Sequence, residues 1–501
     1  MRGRARTLAA GLTLALLAGC GQETASGTPI RFGIAEGPVT LDPRFATDAT
    51  AARLVRLLYA SLVDFDEALR PVPSLARWSA LAPTHYRFRL GAEGRTLPGG
   101  GRIDARDVKA TYEDVLDPAR GSPHRAGLAL VERIEVIDED TVDFRLRSPD
   151  LLFPGKLVLG ILPRALLAAG HPFNTEPVGS GPFRLRAWPN EGRLVLERRG
   201  DGQRVELLRL ADPTTRVLKL LNREVDMLQG DLSPEVVRWL EHRPGLVVQR
   251  SRGIKFSYLG FNLEDPVVGD RRVRTAIAHA IDRAAILRYV MGGAGRLASS
   301  ILPPEHWAGH PDLPLLAPDR ERARALLAEA GYRGRGPRIV YKTSADPFRV
   351  RLATILQSQL AEVGVELEVQ SHDWGTFYGD VKAGRFQMYS LAWVGIKMPD
   401  IFRYTFHSSA VPPHGANRGR YASETADRLI EAAEREPTLA GQAARYRALQ
   451  ELVLAELPYV PLWYEDNFLV TTPGLDGYQL GSDGSYDGLL TVRRGPAASA
   501  R

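Results

Sequence analysis

The chain has little of what disulfide-bonded and metal-binding proteins need. Its 501 residues include one cysteine, Cys20, and ten histidines. A single thiol cannot form an internal disulfide, and no neighbouring histidine or second cysteine offers it a metal partner. Only His306 and His310 are four residues apart, and the prolines around them argue against the helix that would put both rings on one face. The sequence therefore predicts no internal disulfide and no metal site.

Catalytic motifs are also missing. The glycine-rich stretches at 98–101 and 291–296 lack the Lys-Ser/Thr pair of a phosphate-binding loop. Residues 178–182, Val-Gly-Ser-Gly-Pro, lack the first glycine of a nucleophile elbow. We interpret these glycines as turns and helix ends. The sequence predicts a protein that is not an enzyme and uses no cofactor.

Long apolar runs and blocks of positive charge are absent after residue 20. No run approaches the ~20 apolar residues that a membrane helix needs. The net charge is +6, but lysine and arginine are interspersed with acids, and no basic stripe carries interleaved aromatics. Nucleic acid is therefore not an expected partner. A chain of this length predicts two or three lobes.

The first 29 residues have the pattern of an export signal followed by a tether. Three early arginines precede an apolar stretch, 8–18, that is too short to remain as a membrane span. Residues 17–20, Leu-Ala-Gly-Cys, resemble the lipobox of bacterial lipoproteins, in which the chain is cut before the cysteine and its sulfur carries a diacylglycerol. The polar segment 21–29 is typical of a flexible linker. We predict secretion and a lipid on Cys20, with an ordinary secretory signal as the alternative.

Alternating strand patterns and helical periodicities share the rest of the chain. Hairpins are predicted at 133–147 and 181–199, where two alternating runs flank a turn. A long helix is predicted over 270–291, stopped by the two glycines that follow. Residues 337–372 give a strand, a helix and a strand, which favours a parallel sheet. The predicted fold class is α/β.

Several segments occur in the order of one known family. They are TLDPRFATD (40–48), LLYASLVDFD (57–66), 86–118, PVGSGPFRLRAW (177–188), 260–287 and PYVPLWYEDNF (458–468). Together they resemble the bacterial extracellular solute-binding proteins of family 5, which serve ABC importers of peptides, nickel and related solutes. One departure is Leu-Pro-Gly-Gly at 97–100, where the family usually has a His-Asp-Gly turn.

The resemblance implies a two-lobed periplasmic-binding-protein fold of type II, with an extra subdomain in lobe I. Two strands are expected to cross between the lobes near 258–263 and 459–466. The predicted segments are the signal peptide 1–19, a lipidated linker 20–29, lobe I at 30–48, its extra subdomain 49–174, lobe I again at 175–260, lobe II at 261–463, the return to lobe I at 464–493 and a disordered tail 494–501.

The resemblance also implies a function. We expect a monomeric receptor, anchored through Cys20 in the periplasm or on the outer face of the membrane. It would bind a peptide or similar small polar solute between its lobes and deliver it to the permease subunits of an ABC importer. A nickel complex stays open as the ligand. The alternative function is a sensory lipoprotein on the same fold that reports its ligand to a signalling partner.

The resemblance places candidate ligand-binding residues in the family's Trp-containing segment. Trp393 is expected to stack on or cap the ligand, with a core tryptophan as the alternative. Oligopeptide receptors of the family have an aspartate three residues later for the ligand's amino group, and this chain has Ile396 there. Asp400 either substitutes for it or caps the next helix, and Lys397 either holds a ligand carboxylate or is solvated.

Further candidates lie outside that segment. They come from the two predicted crossing strands and from a loop that lines the pocket in relatives. These residues are Tyr258, Asn262, Trp463 and Tyr464 on the strands, and Phe45 and Thr47 on the loop.

Overall fold

The computed structural model describes residues 28–495. The predicted signal peptide, Cys20 and most of the predicted linker and tail therefore lie outside the described residues. Within 28–495, none of the helices combines the length and apolar character that crossing a bilayer requires.

The strands alternate with helices along most of the chain. In chain order they are β1 (Ile30–Ile34), β2 (Val63–Phe65), β3 (Pro71–Pro73), β4 (Ala76–Ala82), β5 (His85–Leu90), β6 (Val131–Val136), β7 (Thr141–Leu146), β8 (Phe183–Asn190), β9 (Arg193–Arg198), β10 (Arg204–Arg209), β11 (Met227–Gln229), β12 (Val247–Phe261), β13 (Gly295–Leu297), β14 (Arg338–Ser344), β15 (Glu366–His372), β16 (Met388–Trp393), β17 (Tyr459–Thr471), β18 (Leu475–Asp476) and β19 (Arg493–Arg494).

The α-helices are α1 (Ala49–Leu58), α2 (Ala105–Leu116), α3 (Arg164–Ala168), α4 (Pro213–Leu221), α5 (Pro234–Glu241), α6 (Arg271–Ala280), α7 (Arg283–Ala285), α8 (Arg320–Glu329), α9 (Pro347–Ala361), α10 (Trp374–Ala383), α11 (Ile401–Phe406), α12 (Glu424–Arg435) and α13 (Leu439–Glu456). Many of them start at an aspartate whose side chain accepts a hydrogen bond from a first-turn N–H. Examples are Asp48, Asp104, Asp270 and Asp346.

One sheet runs through both lobes. Its strand order is β15-β14-β16-β12-β17-β11-β1-β10-β9-β8, with β13 added to β17. Parallel β14, β15 and β16 form the half-sheet of lobe II, and parallel β1, β10 and β11 form the centre of the half-sheet of lobe I. The long antiparallel strands β12 and β17 join the two halves. The predicted two-lobed α/β fold with two crossing strands is thus present.

The crossing strands lose register at two places, after Ser251 and after Ser257, and we call the first and larger of them the hinge bulge. Pairing stops at Ser251 opposite Asn467 and resumes at Lys255 opposite Glu465, so residues 252–254 face a single residue of β17. An added Cβ on Gly253 would overlap the backbone oxygen of Glu465, so only glycine fits there. The division of the lobes by residue number stays a prediction.

Both faces of the lobe II half-sheet are covered. Alternate residues of β12 and β17 contribute to a core with α6, α8 and α9, and those between them contribute to a core with α10 to α13. Because both faces are covered here, β12 from Gly253 onward and β17 up to Tyr464 are buried along most of their length. In lobe I, β4, β5, β7 and β6 form a separate four-stranded sheet packed against α2, which is the core of the extra subdomain.

The local predictions hold with one exception. The hairpins β6–β7 and β8–β9 and the parallel β14-α9-β15 unit are confirmed. The single helix predicted over 270–291 is wrong, because α6 ends at Ala280. Ile281 is extended, and the Asp282 side chain accepts from the N–H of Ala285 to start the short helix α7. An aspartate that caps a new helix therefore interrupts a continuous helical pattern.

We expect Gly253→Ala to lower the free energy of unfolding by about 1–3 kcal/mol, since the methyl group must displace the backbone of β17. Chemical denaturation measures this change. Gly379→Ala is the matched control: a Cβ there meets nothing within 4 Å, and α10 should gain about 0.5–1 kcal/mol from the better helix former. Equal stability of Gly253→Ala and wild type would contradict the steric argument.

Candidate functional site

The parallel strands of both half-sheets end towards the hinge bulge. In lobe II, β16 ends at Trp393, which pairs with Phe256 just after the bulge. In lobe I, β11 ends at Gln229, which pairs with Leu469, two residues beyond the bulge on β17. Ligands of open α/β sheets bind outside the carboxyl ends of the strands. The candidate site is therefore the cleft between the lobes.

The lobes meet across this cleft at loop 394–400, which follows β16. Lys397 Nζ lies 2.6 Å from the carboxylate of Asp483, in the segment that returns to lobe I. The same ammonium lies 5.5 Å from the ring centre of Phe65 at the end of β2. Burial favours a higher pKa for Asp483, but the charge and hydrogen bond of Lys397 outweigh it and lower the pKa to about 2. The Lys397 charge is thus matched by a carboxylate of the other lobe.

His306 holds loop 394–400 from the lobe II side. The imidazole is buried, and burial lowers its pKa to about 4, so it is neutral at pH 7. Its Nδ1 accepts from the N–H of Ala308 (3.0 Å), and its Nε2 donates to the carbonyl of Lys397 (3.1 Å). This contact fixes the backbone from which Lys397 reaches lobe I.

Asp400 lies at the other end of the loop and faces the extra subdomain. Burial raises its pKa, and the charge of Lys156 opposes that shift. Lys156 is itself 2.8 Å from Asp150. The Asp400 side chain makes no capping hydrogen bond to α11, so the capping alternative is wrong. Its role as a ligand contact stays a prediction.

Glu465 lies beside the hinge bulge and was not among the predicted site residues. It accepts a hydrogen bond from Ser257 Oγ (2.7 Å) and contacts Lys255 Nζ (2.7 Å) and the guanidinium of Arg349 (3.2 Å). Burial favours a higher pKa, but the two cations outweigh it and hold the pKa of Glu465 far below its ordinary value. The sequence signal that could have identified Glu465 was its position in segment 458–468, which resembles the family.

Trp393 is half-buried at the start of loop 394–400. Its ring stacks with Tyr258 at 6.4 Å and meets Tyr404 edge-on at 6.1 Å. The guanidinium carbon of Arg418, another residue that sequence reasoning missed, lies 5.0 Å from the ring centre. The indole N–H is buried without a hydrogen-bond partner.

The predicted crossing-strand residues point in different directions. Tyr258 is fully buried, its ring stacked on Tyr459 at 4.0 Å. Trp463 and Tyr464 are buried in opposite cores of lobe II, and the Tyr464 hydroxyl donates to the carbonyl of Ser300 (2.6 Å). Their assignment as ligand contacts stays a prediction, and their burial gives it no support.

The other three candidates are polar-turn and loop residues. Asn262 accepts from the N–H of Glu264 (3.2 Å) in the turn after β12. Phe45 is half-buried with the Arg44 guanidinium 5.4 Å from its ring centre, and Thr47 is exposed. Their ligand-binding role also stays a prediction. In residues 28–495, no group of three or more histidine, aspartate or glutamate side chains is arranged to hold a metal ion.

Several curated proteins resemble the chain over most of its length. The di/tripeptide-binding protein 2 of Pseudomonas aeruginosa is 28% identical over 483 residues, which cover 88% of this chain and 91% of the relative. The dipeptide-binding protein of Escherichia coli is 25% identical over 371 residues, covering 70% of this chain and 69% of the relative.

Solved structures share the fold. The periplasmic binding protein DppA of Helicobacter pylori in complex with the peptide STSA has a TM-score of 0.78 and 25% identity, covering 94% of this chain and 98% of that one. A dipeptide-binding protein from Pseudoalteromonas in complex with Met-Leu has a TM-score of 0.78 and 23% identity, covering 93% and 100%. NikZ of Campylobacter jejuni in complex with Ni(L-His) has a TM-score of 0.80 and 22% identity, covering 93% and 99%. The predicted type II fold is confirmed.

A protein-family model also matches the chain. The model of the bacterial extracellular solute-binding proteins, family 5 Middle, matches residues 98–412, which is more than half of the chain. The chain therefore belongs to the bacterial extracellular solute-binding proteins of family 5.

Proposed function

We propose that the protein is an extracytoplasmic receptor that binds a peptide or a similar small polar solute between its lobes and delivers it, chemically unaltered, to the permease subunits of an ABC importer. The observation that carries the proposal is the cleft at the carboxyl ends of two half-sheets that β12 and β17 connect. Relatives named as di/tripeptide-binding and dipeptide-binding proteins support the ligand class.

The geometry supports a mechanism of closure. A solute in the cleft touches both lobes only when they are close, so its binding energy favours the closed form. The ion pair between Lys397 and Asp483 adds to that preference, because it links loop 394–400 of lobe II to the returning segment of lobe I. An importer that contacts both lobes then distinguishes loaded from empty receptor by shape.

We also propose that the receptor acts as a monomer held at the membrane by a lipid on Cys20. The leader, the lipobox-like residues 17–20 and the polar linker support this arrangement. A tether raises the effective concentration of the receptor near its importer. For the lobes, we retain the predicted division and propose 252–254 as the point about which they move.

Acid should weaken the contact between the lobes. The pKa of Asp483 is lowered from 3.8 to about 2, so its contribution is present above pH 4 and is lost as the pH falls towards 2. We expect Asp483→Asn to lower the free energy of unfolding at pH 7 by about 1–2 kcal/mol and to flatten the loss of stability between pH 4 and 2. Denaturation at several pH values measures both effects.

The control for this variant is Glu362→Gln. Glu362 pairs with Arg320 within lobe II, and both side chains are about half exposed, so the change should be near zero. A pH profile of Asp483→Asn that matches wild type would show that the pair contributes nothing.

Trp393→Ala should weaken ligand binding without unfolding the protein. With the dipeptide Met-Leu as probe, we expect the melting temperature of wild type to rise, because the ligand binds only the folded form. The variant should bind about tenfold more weakly or worse, since it loses an aromatic surface in the cleft. Calorimetric titration and thermal denaturation measure the two quantities.

Trp239→Ala serves as the comparison, because Trp239 is 42% exposed on α5, where it stacks with Arg243. Its ligand affinity should equal that of wild type. Unchanged affinity of Trp393→Ala for a peptide that wild type binds would remove Trp393 from the site.

Cys20→Ser should release the protein from membranes. In a bacterial host, wild type is expected in the membrane fraction after lysis, and the variant in the soluble fraction, because serine offers no thiol for the lipid. Ser26→Ala in the same linker should remain with the membranes. Membrane retention of Cys20→Ser would contradict the lipid anchor.

A further inference from the structure

Arg418 lies in the loop between α11 and α12, and hydrogen bonds and close packing of the neighbouring residues restrain the backbone there. The N–H of Leu263 donates to the carbonyl of Gly419 (2.9 Å), and an added Cβ on Gly419 would overlap the carbonyl oxygen of Phe261. Asn417, fully buried, donates to the carbonyl of Tyr421 (2.7 Å). The start of the Arg418 side chain is therefore fixed against β12.

The Arg418 guanidinium is buried among aromatic rings. The residue is 7% exposed, and its guanidinium carbon lies 5.0 Å from the ring centre of Trp393 and 5.5 Å from that of Tyr378. It donates hydrogen bonds to the hydroxyls of Tyr258 (3.2 Å) and Tyr378 (3.3 Å). Stacking on aromatic faces stabilises a guanidinium but does not neutralise its charge.

No carboxylate of residues 28–495 forms an ion pair with Arg418, and its hydrogen-bond acceptors distinguish it from the other buried arginines. Arg95 and Arg198 contact aspartates. Three other buried arginines, Arg216, Arg274 and Arg283, donate hydrogen bonds to backbone carbonyl oxygens. Arg418 alone of the buried arginines described has only tyrosine hydroxyls as acceptors.

Of these two acceptors, the Tyr258 hydroxyl lies in a buried group of tyrosines. Burial raises the pKa of Tyr258 well above its ordinary value, and it does the same for the adjoining Tyr389 and Tyr459. None of them supplies a negative charge at pH 7. A buried cation without an anion lowers the free energy of unfolding. A rigidly held side chain with this unfavourable burial therefore points to a function.

The other cations at the lobe II edge of the cleft are already matched. Lys397 pairs with Asp483, while Lys255 and Arg349 share Glu465. Beside Arg418, the indole N–H of Trp393 is a second donor without an acceptor. Arg418 and Trp393 together therefore have more hydrogen-bond donors than acceptors and one positive charge without a matching negative charge. They lie at the carboxyl end of β16, where the cleft begins.

We propose that Arg418, stacked on Trp393, binds a carboxylate of the ligand. The inference rests on the proposed function and makes it narrower: the cleft takes solutes with a free carboxylate, and a peptide is held by its carboxyl end in lobe II. The charge of Arg418 is then balanced only in the loaded protein, where the guanidinium gains a charge-assisted hydrogen bond to the ligand carboxylate.

The test compares free-acid and C-terminally amidated forms of two peptides, Met-Leu and Ser-Thr-Ser-Ala, by calorimetric titration of the full chain. Wild type should bind at least one free acid about 10- to 100-fold more tightly than its amide. Arg418→Gln should lose that difference, binding both forms with the affinity of the amide. Arg418→Lys, which keeps the charge but not the planar fork, should recover part of it.

Two measurements separate a binding role from a structural one. The ligand-free melting temperature of Arg418→Gln should be at or near that of wild type, because a buried unpaired charge is removed. Arg420→Gln is the matched control: it lies on the same loop, and its guanidinium already contacts Glu264 (3.2 Å). That variant should discriminate between acid and amide as wild type does.

The outcomes are distinct. Equal binding of acid and amide by wild type overturns the carboxylate site and leaves the proposed peptide receptor intact. Discrimination that survives in Arg418→Gln overturns the assignment to Arg418. If wild type binds none of the four peptides, the proposed ligand class fails and the inference fails with it.

Discussion

The pairing of β12 with β17 is the constraint on which the rest of the structure depends. These two strands are the covalent connection between the half-sheets, and their backbones come so close at Gly253 that no side chain fits. A bulge at this point removes ladder hydrogen bonds where the lobes must bend while the strands on either side remain tied into packed sheets. The hinge bulge also marks the position of the cleft, because the parallel strands of both lobes end close to it.

The charges of the cleft fall into two groups. Lys397, Lys255 and Arg349 each have a carboxylate within reach: Lys397 pairs with Asp483 across the lobes, and Lys255 and Arg349 share Glu465. Arg418 has aromatic faces and tyrosine hydroxyls around it and no carboxylate among residues 28–495 as an ion-pair partner. Three cations of the cleft thus have a carboxylate partner within the protein, whereas for Arg418 we propose a carboxylate of the ligand. Lys397 contacts Asp483, and its predicted role in holding a ligand carboxylate stays a prediction.

Much of the fold was predictable because its signals are local. Hairpins β6–β7 and β8–β9 follow from alternating runs around turns, and the β14-α9-β15 unit follows from a change of periodicity. The break between α6 and α7 was missed, because an apolar helical period continues through it and only Asp282 acts against it. The cleft residues Asp483, Glu465 and Arg418 depend on contacts between distant segments, and no spacing in the sequence reveals them. Trp393 was found through the family resemblance rather than through its own pattern.

The core of lobe I has a further consequence for biogenesis. Ile30 and Phe32 of β1 pack in one cluster with Leu469, Leu489 and Val492, so the beginning and the end of the chain share an interior. The guanidinium of Arg494 donates to the carbonyls of Thr28 and Pro29 and closes this seam. Because β1 packs against residues near the carboxyl end of the described chain, lobe I cannot complete its core until β17 and the segment after it have been synthesised. Premature termination near the carboxyl end would therefore leave the first-emerged strands without their partners.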